Sequence, residues 1–179
     1  GDDQYGQSGD GETLRGSNPA PVRVKAGAFA EFWSDWDSVH PGEGFTCGTR
    51  DGTAWCWGLN RDSELGQGEP SDPLLDPIRV LDDAGGTGWS DWTALDTGGF
   101  GCGLRNGELY CWGRLARGEG TLPFAVTTAD GGVWEAISVG SLHACGLQGD
   151  SVYCWGRNPN GALGDGTDEP SDQPVQVRF

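Results

Sequence analysis

C-G-T-R-D-G-T-A-W-C-W-G (47–58), C-G-L-R-N-G-E-L-Y-C-W-G (102–113) and C-G-L-Q-G-D-S-V-Y-C-W-G (145–156) are one segment written three times. Each has a turn pair at its centre: Asp51-Gly52, Asn106-Gly107 and Gly149-Asp150. These dipeptides favour two-residue hairpin turns, because they tolerate the positive φ such turns require. Counting outward from Asp51-Gly52, residues 50 and 53 pair, then 49 and 54, 48 and 55, and finally Cys47 and Cys56. The same count sets Cys102 against Cys111 and Cys145 against Cys154. The cysteines fall on a non-hydrogen-bonded rung, where opposed Cα atoms lie about 4.5 Å apart, within reach of a disulfide. Three disulfides within hairpins are therefore expected. A zinc site is the weaker reading, since it wants closer cysteine spacings and further ligands, and His40 and His143 are the only histidines. Reduced, buried cysteines remain the other alternative.

The repeat extends in both directions. Upstream stand D-W-D-S-V-H-P-G (35–42), D-W-T-A-L-D-T-G (91–98) and V-W-E-A-I-S-V-G (133–140), which aligns Trp36, Trp92 and Trp134. Downstream, E-L-G-Q-G (64–68) with D-P-I-R-V (76–80) matches A-L-G-D-G (162–166) with Q-P-V-Q-V (173–177). The middle repeat shortens this tail to R-G-E-G-T-L-P-F-A-V (117–126) and is preceded by an insertion, Leu81–Gly88. Each repeat reads as an inner strand near the first tryptophan, two hairpin arms, a glycine-rich tail and a proline-led outer strand. Those outer strands are Pro77–Val80, Pro123–Val126 and Pro174–Val177; proline suits an edge strand because it donates nothing to a ladder. Four strands in a repeat of this size make a β-propeller blade.

Composition agrees with an all-β chain. Among 179 residues there are 33 glycines and 10 prolines, enough for low complexity, yet nine tryptophans argue for a packed core. With 27 acidic against 11 basic residues the net charge is −16, a field that repels phosphate backbones and anionic membranes. Nucleic acid is therefore excluded as a partner, and no apolar run is long enough for membrane insertion as a helix. Persistent disulfides imply an oxidising compartment, so an extracellular or cell-surface location is expected.

The pattern W-x-x-[IVL]-x-x-G, C-G-L-x-[DN]-G-x-x-Y-C-W-G, G-x-L-G-[DQ]-G and P-[IV]-x-V resembles the regulator of chromosome condensation repeat, in its cysteine-containing, secreted variety. That resemblance implies a seven-bladed propeller. The founding member's nucleotide exchange on a nuclear GTPase and its docking on nucleosomes do not carry over to so acidic, disulfide-bearing a chain. A secreted β-lactamase inhibitor with this fold, which binds through loops on one face, is the nearer analogue.

Gly1–Gly11 aligns with 58–68 and 156–166, so the chain starts as the tail of a preceding blade. The expected organisation is 1–24 as tail and outer strand of an incomplete blade, then blades at 25–80, 81–127 and 128–179. Three complete blades are fewer than the four to eight that close a ring. The two explanations are a piece of a longer chain, which is favoured, and completion by another copy.

Candidate sites are few. Trp57, Trp112 and Trp155 follow the second cysteine, so they point away from the disulfide and pack between blades. Trp33 and Trp89 belong to a W-S-D-W motif (33–36 and 89–92) that the third repeat lacks. They are the candidate binding aromatics, able to stack on a sugar or anchor a protein, or else they cap a blade junction. Asp10-Gly11 and 165–169 resemble calcium loops without the required spacing and read as solvated turns. His40 and His143 have no nucleophile beside them. The expected function is a non-catalytic scaffold contacting other protein chains, including further copies of itself. The alternative is a recognition module for a protein or glycan. No cofactor is implied.

Overall fold

The computed structural model describes residues 1–13, 19–26, 29–83, 86–113 and 122–178. A short pair, β1 (Lys25–Ala26) and β2 (Phe29–Phe32), precedes three four-stranded antiparallel sheets. The first sheet is β3 (Ser38–Pro41), β4 (Phe45–Arg50), β5 (Thr53–Gly58) and β6 (Leu74–Arg79). The second is β7 (Trp92–Thr97), β8 (Gly101–Arg105), β9 (Glu108–Trp112) and β10 (Phe124–Val126). The third is β11 (Ala136–Val139), β12 (His143–Gln148), β13 (Ser151–Gly156) and β14 (Ser171–Gln176). In each sheet the strands lie side by side in chain order, the meander of a propeller blade.

The hairpins have the register that their turns dictate. Asp51, Gly52, Asn106 and Gly107 all take positive φ, whereas in the third turn Gly149 alone does. Cys47–Cys56, Cys102–Cys111 and Cys145–Cys154 are disulfide-bonded, with Cα separations of 4.1, 4.0 and 4.0 Å. The glycine after each first cysteine is required by close approach. A Cβ on Gly103 would stand 2.6 Å from the Trp92 ring, and one on Gly146 would stand 2.4 Å from the Trp134 ring.

The outer strands correct two expectations. β6 and β14 begin before their prolines, at Leu74 and Ser171, so Pro77 and Pro174 lie inside strands. Both fall at a register shift, between the Cys56 and Gly58 pairings and between the Cys154 and Gly156 pairings. A bulge leaves a residue outside the ladder, so a missing N–H costs nothing there. Pro21–Val24, expected as an outer strand, carries no strand, and pairing starts at Lys25. The path itself is conserved: Lys25 N–H donates to Gly9 O as Leu81 donates to Gly66 O and Arg178 to Gly164 O. What 21–24 lacks is the hairpin arm of its own blade to pair with. The 117–121 stretch of the short middle tail lies outside the described residues.

Blades pack face to face. The disulfide side of the first (Cys47, Ala54, Cys56, Val80) meets Trp92, Leu95, Tyr110 and Trp112 of the second. The disulfide side of the second (Cys102, Leu104, Leu109, Cys111, Val126) meets Trp134, Val139, Ala144 and Trp155 of the third. Backbone bonds pin each junction near the hairpin turn, Trp92 N–H to Gly52 O and Trp134 N–H to Gly107 O, both 2.9 Å. The inner loops are pinned too, through Glu43 N–H to Gly98 O and Gly99 N–H to Gly140 O.

Glu64 in the tail after β5 is buried at such a junction, 5% exposed. Burial raises its pKa above the ordinary carboxyl value of 4.5. The folded chain then holds this proton more firmly than the unfolded one, so folding takes up a proton in the window above pH 4.5. Stability is lost as pH rises through that window. Glu64→Gln, the residue that Gln7 already supplies at the aligned position, should therefore stabilise the protein by about 0.5 kcal/mol near neutral pH. The gain should vanish below pH 4.5, which paired melting curves at the two pH values would test.

Candidate functional site

The W-S-D-W segments run along the edge of the first and second blades, next to the hairpin turns. There each builds a closed stack. The Trp33 ring lies edge-on to Trp55 at 4.7 Å and tilted against Trp36 at 5.6 Å. Arg50 lies over its other side, with the guanidinium carbon 4.6 Å from the ring centroid. Asp35 of the motif grips that guanidinium with both oxygens, at 2.7 and 2.9 Å. The second blade repeats the arrangement: Trp89 is tilted against Tyr110 at 4.5 Å and edge-on to Trp92 at 5.6 Å, under Arg105 at 4.3 Å. Arg105 is held by Asp91 at 2.8 Å on each oxygen, and Asn106 Nδ2 adds a bond of 2.7 Å to Asp91.

The electrostatics follow from the pairing. The Arg50 side chain lowers the pKa of the Asp35 carboxyl, and Arg105 does the same to Asp91. Burial raises the pKa of Tyr110. A guanidinium on an indole at a partly exposed site contributes about 0.5–1 kcal/mol, while a solvent-facing ion pair contributes little. Trp33 and Trp89 are half-buried, each with a guanidinium over its ring.

Arg50 and Arg105 were the residues that reading for single motifs missed. Their signal lies in repeat-to-repeat covariation. Where Trp and Asp stand in the W-S-D-W frame, the hairpin carries Arg; where the third repeat has Gly131 and Val133, the hairpin carries Gln148. Gln148 Nε2 donates to Gly132 O at 2.8 Å and its Oε1 accepts from Thr128 at 2.9 Å, an uncharged substitute for the clasp. The indole itself is not replaced. A cleft of about 170 Å³ remains between the second and third blades, lined by Leu109, Ala125, Val126, Gly131, Gly132 and Trp134 among others. Val133, at 66% exposure, stands beside it in the chain.

The histidines and acidic loops stay apart from this edge. His40 Nδ1 lies 3.8 Å from Asp96 Oδ1 on the inner strands, and Asp96 Oδ2 accepts from Val139 N–H, so this group bridges three blades. Asp165 has a lowered pKa because the Thr167 N–H and O–H both bond to it. Among the described residues no three His, Cys, Asp or Glu side chains converge as a metal cluster, and no helix is long and apolar enough to cross a membrane.

Comparison with known proteins places this geometry. Residues 150–179 match the family profile described as the regulator of chromosome condensation (RCC1) repeat. No curated protein matches the chain. Among solved structures, human WBSCR16 superposes with a TM-score of 0.74 at 19% identity, over 97% of this chain and 45% of its own. Prp20p of Saccharomyces cerevisiae, described with its binding to Gsp1p and histones, superposes at 0.67 and 19% identity, over 81% of this chain and 39% of its own. The yeast protein in complex with Kap60 gives 0.67 over 81% and 37%. The chain spans less than half the length of these structures, and the likeness to them is one of fold.

Proposed function

Residues 150–179 match the regulator of chromosome condensation repeat and the chain folds as β-propeller blades that superpose on solved propellers, and from that premise we propose a non-catalytic, extracytoplasmic scaffold that binds other protein chains. The solved neighbours carry protein partners by their descriptions, Gsp1p, histones and Kap60. Only the class of partner is carried over, because a chain of net charge −16 is a poor fit to phosphate-rich surroundings. Three disulfides suit an oxidising, extracellular setting. The non-catalytic reading is supported by the roles of the groups with shifted pKa: Arg clasps for Asp35 and Asp91, a buried tail for Glu64, a turn for Asp165.

The observation that carries the proposal is the disulfide side of the third blade. In the first two blades this side is buried against the next blade, with Cys102 at 0%, Leu109 at 1% and Val80 at 1% exposure. In the third, Cys145, Leu147, Val152, Val175 and Val177 are only half-buried. A Cβ on Gly149 would meet nothing within 4 Å, whereas one on Gly52 would meet Ser90 O at 2.5 Å. An apolar side that two sister blades bury is one that a further blade or another protein chain covers. Sedimentation at micromolar concentration should show association that Val152→Glu with Val175→Glu abolishes. A chain that stays monomeric throughout would remove assembly through this surface.

A second reading, recognition of a protein through the blade edge, is favoured by the cleft at Gly131. Its wall includes Gly131, the residue aligned with Trp33 and Trp89, together with Leu109, Val126 and Trp134, so it suits an apolar or aromatic side chain of a partner.

A further inference from the structure

Three tails follow one path, and one of them breaks a chemical rule that the other two keep. In the tail after β5, Asn60 is 1% exposed. Its Oδ1 accepts from Leu65 N–H at 3.0 Å, and its Nδ2 donates to Glu69 O at 3.1 Å and Ser71 Oγ at 2.9 Å. In the tail after β13, Asn158 is 2% exposed. Its Oδ1 accepts from Leu163 N–H at 2.8 Å, and its Nδ2 donates to Thr167 O and Glu169 O, both at 3.0 Å. Asp165 Oδ1 and Thr167 Oγ1 lie beside the same nitrogen at 3.5 and 3.4 Å. One corner of the amide closes the loop while the other gathers oxygen atoms.

The aligned residue in the first tail is Asp3, which is 0% exposed. Its Oδ1 does what the amide oxygens do, accepting from Ser8 N–H at 2.8 Å. With that corner pinned, Oδ2 takes the place of the amide nitrogen, and there it has no hydrogen-bond partner. Alignment with the sister tails indicates which oxygens gather around it. Glu12 occupies the position of Glu69 and Thr167, and Asp10 that of Asp165. Asp10 makes the same turn as Asp165, its Oδ1 accepting from Glu12 N–H at 3.1 Å where Asp165 accepts from Thr167 N–H at 3.0 Å. A buried carboxylate oxygen set among oxygens is strongly unfavourable unless a positive charge lies between them.

We propose that residues 1–13 form a calcium site, in which the ion replaces the two N–H donors of the sister amides. Asp3 Oδ2, the Asp10 carboxylate and the Glu12 carbonyl are its protein ligands, and water completes the shell. Oxygen-only donors in an irregular loop suit calcium, which accepts six to eight ligands in flexible geometry, better than magnesium, which demands an octahedron. The one lysine nearby does not serve instead. The Lys25 ammonium packs against Gly11, and among the described residues no ion pair joins it to a carboxylate.

The test is calorimetric titration of the chelator-treated protein with calcium chloride at fixed ionic strength. The wild type should take up one ion per chain with a Kd of about 10⁻⁴–10⁻³ M, the range of weak extracellular sites. Its melting temperature should rise with calcium and not with the same concentration of magnesium. Asp3→Asn restores the residue of the sister tails, so it should fold, bind no ion and lose the calcium response. Asn158→Asp plants the same carboxylate beside Asp165, Thr167 and Glu169, and should raise the stoichiometry to two. The proposal is overturned if the wild type takes up no calcium, or if Asp3→Asn binds it unchanged. It is equally overturned if Asn158→Asp still binds one ion, or if stability is indifferent to calcium but falls with Lys25→Gln.

Discussion

Replacing Trp112 with alanine should lower the stability of the chain by about 3–5 kcal/mol, the cost of emptying a buried indole site. Trp112 is 0% exposed and lies between the first and second blades, 5.7 Å from the Trp92 ring. Its indole N–H donates to Glu64 O at 2.9 Å, so the junction loses a hydrogen bond as well as packing. The surroundings cannot collapse easily into the void, because the Gly101 backbone is already so close that a Cβ would stand 2.4 Å from the ring. Trp112→Phe separates the two contributions. It keeps most of the apolar area and leaves Glu64 O without its donor, for a loss of about 1–2 kcal/mol. Because blades contact mainly their neighbours, the alanine variant should unfold in two steps rather than one. Denaturant unfolding followed by fluorescence checks both, and a loss under about 1 kcal/mol for the alanine variant would refute the account.

The second large effect is expected from Cys102→Ala with Cys111→Ala. Closing so short a loop constrains the unfolded chain by about 2–3 kcal/mol in the entropic account. Both cysteines are 0% exposed, so the double substitution also loosens the contact with Trp134 and Trp155. Cys145→Ala with Cys154→Ala deletes a loop of the same length, since both pairs are separated by 9 residues. There Cys145 is only half-buried, so the packing loss is smaller. The second variant should thus be the more stable of the two. Equal losses would mean that the packing around Cys102 and Cys111 contributes nothing. Non-reducing denaturation of the two variants, with reduced wild type as reference, decides it.

The hairpins and their cysteine pairs were legible because the interactions that set them are local. A two-residue turn determines every rung that follows it, so Asp51-Gly52 already implies Cys47 opposite Cys56. The inner tryptophans and the tails were legible for another reason: three copies expose the frame even where one copy is degenerate. The outer strands were read less well. Proline marks where a ladder bond is absent, and that is compatible with a strand start or with a bulge; only the pairings of Cys56 and Cys154 with their partners distinguish the two. At Pro21–Val24 the strand pattern is present and the partner is not, and a strand without a partner forms no ladder.

The W-S-D-W motif shows where reading from the chain alone stops. A tryptophan in an edge segment reads as a sugar platform or as a cap, and the chain does not say what lies over its ring. Arg50 and Arg105 reach Trp33 and Trp89 because a hairpin and an edge segment converge in space. That convergence is a property of the folded blade.

Covalent order alone thus established an all-β repeat, its hairpin registers, its three disulfide pairings and the segments that belong to one blade. All of these rest on short-range geometry or on comparison between copies. The packing of each disulfide side against the next blade's tryptophans and the guanidinium contacts of Trp33 and Trp89 emerged only from the tertiary structure. So did the burial of Asp3, which turns an ordinary Asp-for-Asn difference into an unpartnered carboxylate oxygen. Exposure and hydrogen-bond partners are decided by which distant segments meet, and sequence spacing carries no term for that.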